Sequence, residues 1–159
     1  MKTKILALLL TLALIFSLAS CTKAEETKEA KNPSETQNNT EVSEIPAEGL
    51  WKDAIYRKNK TFGNGAKTIT VRVEAGEYYL DFTINTDKNN LEEALLEHKL
   101  VEGENSEFGL YIKKVNGILA DYDVDQTYWS FEIDGVAQRT GVNGAEIKGG
   151  ERFELVRKK

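Results

Sequence analysis

The chain of 159 residues contains one cysteine and one histidine, and these two scarcities exclude whole classes of chemistry. With Cys21 alone, no internal disulfide can form, so stability must come from a packed core. With His98 alone, there is no second imidazole for a zinc cluster. Every histidine-dependent acid–base or nucleophilic scheme would rest on that single ring. His98 lies seven residues after Leu91, on or beside an apolar helical face, where a hydrogen-bonded, partly buried histidine is the ordinary reading. No two carboxylates fall into a recognisable glycosidase arrangement. "FGNGAK", Phe62 to Lys67, lacks the Walker spacing and precedes a strand pattern, so it reads as a turn. A basic stripe is also missing, which argues against nucleic acid. The expectation is a chain without catalytic residues, resident metal or cofactor.

What is present begins with address. Lys2 and Lys4 precede the apolar run Ile5 to Leu18, which ends in Leu18-Ala19-Ser20-Cys21. A basic head, an apolar stretch shorter than a membrane span and small residues before the cut describe a secretory signal peptide over residues 1–20. Leu-Ala-Ser-Cys resembles the bacterial lipobox. The resemblance implies that Cys21 becomes the diacylated first residue of the mature chain, anchored on the extracellular side of the bacterial cell membrane. Acylation would also remove the only thiol nucleophile. Residues 21–50 are rich in Glu, Lys, Thr, Asn and Ser with few large apolar side chains. Such a segment cannot bury enough surface to offset its ordering entropy and reads as a disordered tether, on the order of 30 Å in mean reach. The net charge of the chain is −5. Losing Lys2 and Lys4 with the leader takes it to −7, and the tether's three Lys and seven Glu account for −4. Residues 51–159 therefore carry −3, on a length that suits one small domain.

Within that domain, "KTITVRV" and "EYYLDFTI" alternate apolar and polar residues across Ala75-Gly76 and predict a hairpin. "NNLEEALLEHKLVEG" changes to helical spacing at Leu91, Ala94 and Leu95. Asn90 stands as cap, Glu93 in the reciprocal capping position and Gly103 past the end. Strand patterns return in "FGLYIKKV", "YWSFEI" and "RFELV", separated by Asn116-Gly117, Asp134-Gly135 and the glycines from Gly141 to Gly150. The expected fold is α+β and β-grasp-like, one helix packed across a mixed β-sheet.

Gly109-x-Tyr111-Ile112, Val115-Asn116-Gly117, Tyr128-Trp129-x-Phe131 and Asp134-Gly135 occur in an order that resembles the transcobalamin-like C-terminal domain of bacterial surface proteins. That domain is similar to the small β-domain of transcobalamin and intrinsic factor. The resemblance spans residues 51–159 and implies a β-grasp-type domain able to hold a soluble ligand, with cobalamin or another corrinoid as an example. In the B12 carriers the ligand also rests on a large helical barrel, which this sequence lacks.

Asp121, Asp123, Asp125 and Glu132 occupy carboxylate positions of a calcium loop of the EF-hand kind. Gln126 stands where the turn glycine is needed, and Glu132 falls in an extended stretch. The aspartates therefore read as a solvated loop rather than a metal site. In "TYWSFEID", Trp129, Phe131 and Ile133 share one strand face, the natural core face. Tyr128 on the opposite face and Tyr122 in the loop are freer to meet a ligand. By resemblance, Tyr128 and Trp129 lie in the region that the B12 carriers use near their ligand. The candidate ligand residues are thus Tyr122, Tyr128 and Trp129. The function expected is a lipid-anchored surface module binding a small molecule or a protein partner. The alternative is a structural or adhesive domain that docks partner proteins through its sheet, without a small-molecule ligand.

Overall fold

The computed structural model describes residues 40–41 and 44–159. The leader, Cys21 and most of the 21–50 segment lie outside these residues. In chain order the elements are β1 (Thr40–Glu41), β2 (Lys60–Gly63), β3 (Lys67–Ala75), β4 (Tyr78–Thr86), α1 (Leu91–Glu97), β5 (Val101–Ser106), β6 (Gly109–Val115), β7 (Ile118–Leu119), α2 (Tyr122–Asp125), β8 (Tyr128–Ile133), β9 (Val136–Ala137) and β10 (Arg152–Lys158). No helix among the described residues is long and apolar enough to cross a membrane.

A seven-stranded sheet runs β1-β4-β3-β10-β8-β9, with β2 also on β4, and β5-β6-β7 form a separate three-stranded sheet. This corrects the α+β, β-grasp-like expectation. The chain is mainly β with two sheets, sandwich-like, and its longer helix has only seven residues. Two local events explain the difference. Lys99 takes a left-handed conformation (φ 54°) and stops α1, so the helix is too short to cover a sheet by itself. The strands that follow then pair with each other, Val101 opposite Val115 and Val115 opposite Ile118. Gly103, expected past the helix end, instead sits at a register shift inside β5.

The large sheet has one apolar face. Ile69, Val71 and Val73 of β3 lie opposite Ile84, Phe82 and Leu80 of β4, and parallel pairing sets Phe153 and Leu155 of β10 beside Val71 and Val73. Leu91, Ala94 and Leu95 of α1 and Val101, Val115 and Ile118 of the small sheet close on this face in one core. Burying apolar area there is the main driving force, at roughly 25 cal/mol per Å². On the outer face Asp81 accepts from both Arg72 (2.9 Å) and Arg152 (3.1 Å). Partial burial raises the Asp81 pKa, but the two guanidinium groups outweigh it and hold the carboxyl below its ordinary range.

Ile45 is fully buried and donates its N–H to Arg57 O (2.7 Å), so the segment from Glu44 onward packs with the domain. Ile45 and Trp51 are buried in this stretch, and Arg57 ties it down through Ile45 O (3.2 Å) and Glu44 (3.1 Å).

Candidate functional site

β8 positions the residues singled out in the sequence, and its register decides where each one points. Phe131 lies opposite Leu155 and Trp129 opposite Arg157, so Trp129 and Phe131 share the inner face of the large sheet. Trp129 is 8 % exposed and joins the core, and its Nε1 has no hydrogen-bond partner. Tyr128 projects from the other face at 41 % exposure, and Tyr122 stands on α2 at 56 %. Tyr128 and Trp129 are thus on opposite sides of one strand.

The aspartate run is largely exposed, in line with the solvated segment expected, but it is wound into a helical turn rather than an open loop. Asp121 caps α2, a single helical turn, by accepting the Asp123 N–H at Oδ1 (3.1 Å). Gln126 adopts the left-handed conformation (φ 59°) that a glycine would otherwise supply. Asp125 accepts from the Thr127 hydroxyl and from Arg157 Nη2 (2.7 Å). The Thr127 hydroxyl first, and the Arg157 cation behind it, hold the Asp125 carboxyl below its usual range. Asp121 lies 3.7 Å from Lys113 Nζ. Glu132, buried in β8, accepts from Ser130 Oγ (2.8 Å) and pairs with Lys158 (3.0 Å). Most of these carboxylates already face a cation or an N–H.

A cleft opens elsewhere on the strand. Phe131 and Ile133 of β8 and Phe153 of β10 form its apolar floor, in a volume of 610 Å³. The two phenyl rings are 6.1 Å apart and tilted by 45°. Asp134, Gln138, Thr140, Glu146, Lys148, Glu151 and Arg152 make the polar wall. It stays open for a reason visible in the residues. β9 contributes only two residues to the sheet edge, and the segment that crosses above contains Gly141, Gly144, Gly149 and Gly150. Gly149 and Gly150 have φ of 109° and 95°, conformations that residues with a Cβ rarely adopt. Val142, Ala145 and Ile147 of that segment turn into the core and leave Phe131 and Phe153 only 9 % and 3 % exposed, so the open space lies along the edge of the rings.

A smaller concavity of 370 Å³, lined mainly by polar groups, lies between Gly63–Gly65, Asn85–Lys88 and the end of α1. His98 borders it, stacked on Phe62 at 5.2 Å, with Nε2 buried and without a partner. The hydrogen bond expected for this histidine is therefore absent at Nε2.

Phe131 was assigned to the core by period-two alternation, and Phe153 and Ile133 carry the same signal. Their exposure to a cleft depends on what covers them. The run of glycines between Gly141 and Gly150 is the one sequence feature that could have marked a poorly covered face.

Residues 89–155, which include the cleft floor, match the model of a domain of unknown function, DUF4430. The crystal structure of a "putative metal binding protein" from Ruminococcus gnavus ATCC 29149 matches at 34 % identity with a TM-score of 0.55, over 58 % of this chain and 97 % of that one. The crystal structure of haptocorrin in complex with Cbi matches at 22 % identity and a TM-score of 0.45, over 62 % of this chain and 26 % of haptocorrin. No curated protein matches the chain. The identity to the Ruminococcus gnavus protein over nearly its whole length places this chain in the same family, with a DUF4430 match over residues 89–155.

Proposed function

We propose that this chain is a lipid-anchored module on the outer side of a bacterial membrane, and that it binds a small soluble ligand in the Phe131–Phe153 cleft without transforming it. The cleft itself carries the reading. Its volume of 610 Å³ falls inside the range of small-molecule sites, and its wall of polar and charged groups suits a ligand held by hydrogen bonds and charge as much as by apolar contact. The signal peptide and the lipobox-like Leu-Ala-Ser-Cys support anchoring through Cys21. Resemblance of the domain's motifs to the β-domain of the B12 carriers makes a corrinoid the first ligand to test. Metal binding, the property in the name of the Ruminococcus gnavus protein, has less support here. Among the described residues no three His, Cys, Asp or Glu side chains come together to hold an ion.

Anchoring is checked by mass spectrometry of the mature chain, which should carry a diacylglyceryl group on Cys21. The Cys21→Ser chain should remain uncleaved or be released into the medium. A mature chain free of lipid would remove the anchor from the proposal.

Ligand binding is checked by calorimetry of the mature chain with cobalamin, cobinamide and calcium. A corrinoid should bind, and Thr140→Trp, which fills the cleft from its exposed rim, should weaken it at least about tenfold, a loss of ~1.4 kcal/mol. Calcium should release no more heat than an equal ionic strength of sodium chloride. Binding that Thr140→Trp leaves intact would move the site away from the cleft, and failure of both corrinoids would exclude that ligand class.

A further inference from the structure

Every cation lining the cleft is already spoken for, whereas one carboxylate is not. Lys148 Nζ pairs with Glu146 at 3.1 Å. Arg152 donates to Asp81 at 3.1 Å and lies 3.7 Å from Glu154. The Glu151 carboxylate is occupied by backbone donors, accepting from Lys148 N (2.9 Å) and Gly149 N (2.8 Å). Asp134, exposed at the turn between β8 and β9, has no cation or donor among the described residues. Gln138 uses its Nε2 on Val136 O (2.7 Å) and its backbone N–H on Phe131 O (2.8 Å), leaving the side-chain carbonyl uncommitted. The lining thus sets three carboxylates, Asp134, Glu146 and Glu151, against two cations, Lys148 and Arg152, and its balance is negative.

We infer that the cleft selects a positively charged amphipathic ligand, with an apolar body against Ile133 and the exposed edges of Phe131 and Phe153 and a cationic, N–H-donating head at Asp134 and Gln138. This rests on the cleft being the ligand site. An anionic head would meet Asp134 and have to share Lys148 with Glu146, or Arg152 with Asp81 and Glu154. Exposed charge pairs are each modest, so the head sets which ligand is preferred rather than making binding tight.

The test uses two probes with one ring system and opposite charge, 2-naphthylmethylammonium and 2-naphthoate. They are titrated into the whole mature chain carrying Cys21→Ser, and backbone amide shifts are followed by NMR. The ammonium should shift residues around Phe131, Asp134 and Phe153 and bind at least about tenfold more tightly than the carboxylate. Asp134→Asn should narrow that gap about fivefold, as expected for one exposed charge pair. Asparagine suits the left-handed conformation of this position (φ 52°) and keeps the turn, so the variant changes charge and little else. Equal affinities, a preference for the carboxylate, or a gap unmoved by Asp134→Asn would overturn the inference while leaving the cleft as the site. Shifts confined to other residues, or no binding of either probe, would overturn the cleft reading and the inference with it.

Discussion

Trp51→Ala should lower the melting temperature by about 20 °C or leave the domain largely unfolded. Trp51 is 2 % exposed and donates from Nε1 to Ala75 O at 3.0 Å, well inside the fold. Truncating a buried aromatic costs about 3–5 kcal/mol, and the carbonyl left at the end of β3 adds about 1–3 kcal/mol if no water replaces the indole. A domain of this size has about 5–15 kcal/mol in total, and each kcal/mol is worth about 4–8 °C. Trp51→Phe separates the two contributions, since it restores most of the volume but not the donor. Its loss should be confined to about 1–3 kcal/mol. Thermal unfolding followed by circular dichroism reads both variants. A loss under ~1 kcal/mol for Trp51→Ala would mean that the segment from Ile45 to Trp51 is not part of the cooperative core.

Asn116→Ala should cost nearly as much, about 3–5 kcal/mol, although it removes few atoms. Asn116 is fully buried. Its Oδ1 accepts from Tyr56 N (2.9 Å) and its Nδ2 donates to Tyr56 O (2.7 Å), so one amide satisfies both backbone groups of Tyr56. Each unmade partner costs about 1–3 kcal/mol. Asn116 also has φ of 52°, with Gly117 following at 82°, and alanine pays about 1 kcal/mol more than asparagine or glycine for that conformation. Asn116→Gly therefore isolates the hydrogen bonds from the backbone term and should be milder than alanine by about that amount. Denaturant titration of the three chains is the measurement. Equal stability of Asn116→Gly and the native chain would show that water replaces the amide. Tyr56 in turn packs edge-on to Phe62 (5.3 Å) and Phe82 (5.9 Å), so the loss should spread into the β2–β4 edge.

What could be read from residues alone is what neighbouring residues decide. The β3–β4 hairpin follows from alternation and a turn at Gly76. The start of α1 follows from Asn90, whose Oδ1 accepts the Glu93 N–H (2.9 Å) while its Nδ2 donates to Glu93 Oε1 (3.0 Å). Asn116-Gly117 and Asp134-Gly135 each place two successive residues at positive φ, the conformation that tight hairpin turns require. Each of these features spans a few residues, and its free energy depends on local sterics and hydrogen bonds.

The fold class and the cleft were not legible in this way. Whether β5 to β7 join the large sheet or form their own depends on how α1 ends at Lys99 and on which strand edges remain free. The cleft needs β10 beside β3, where Phe153 meets Val71 across a gap of more than eighty residues, and then β8 on the far side of β10. It also needs the segment from Gly141 to Gly150 to pass beside Ile133 and Phe131 without filling the space at their edge. Period-two alternation states that Phe131 faces inward but carries no information about what lies opposite. Hydrophobic burial is non-directional, so the same alternation suits a filled core and an open cleft. Only the long-range pairing of β10 with β3 and β8 decides between them.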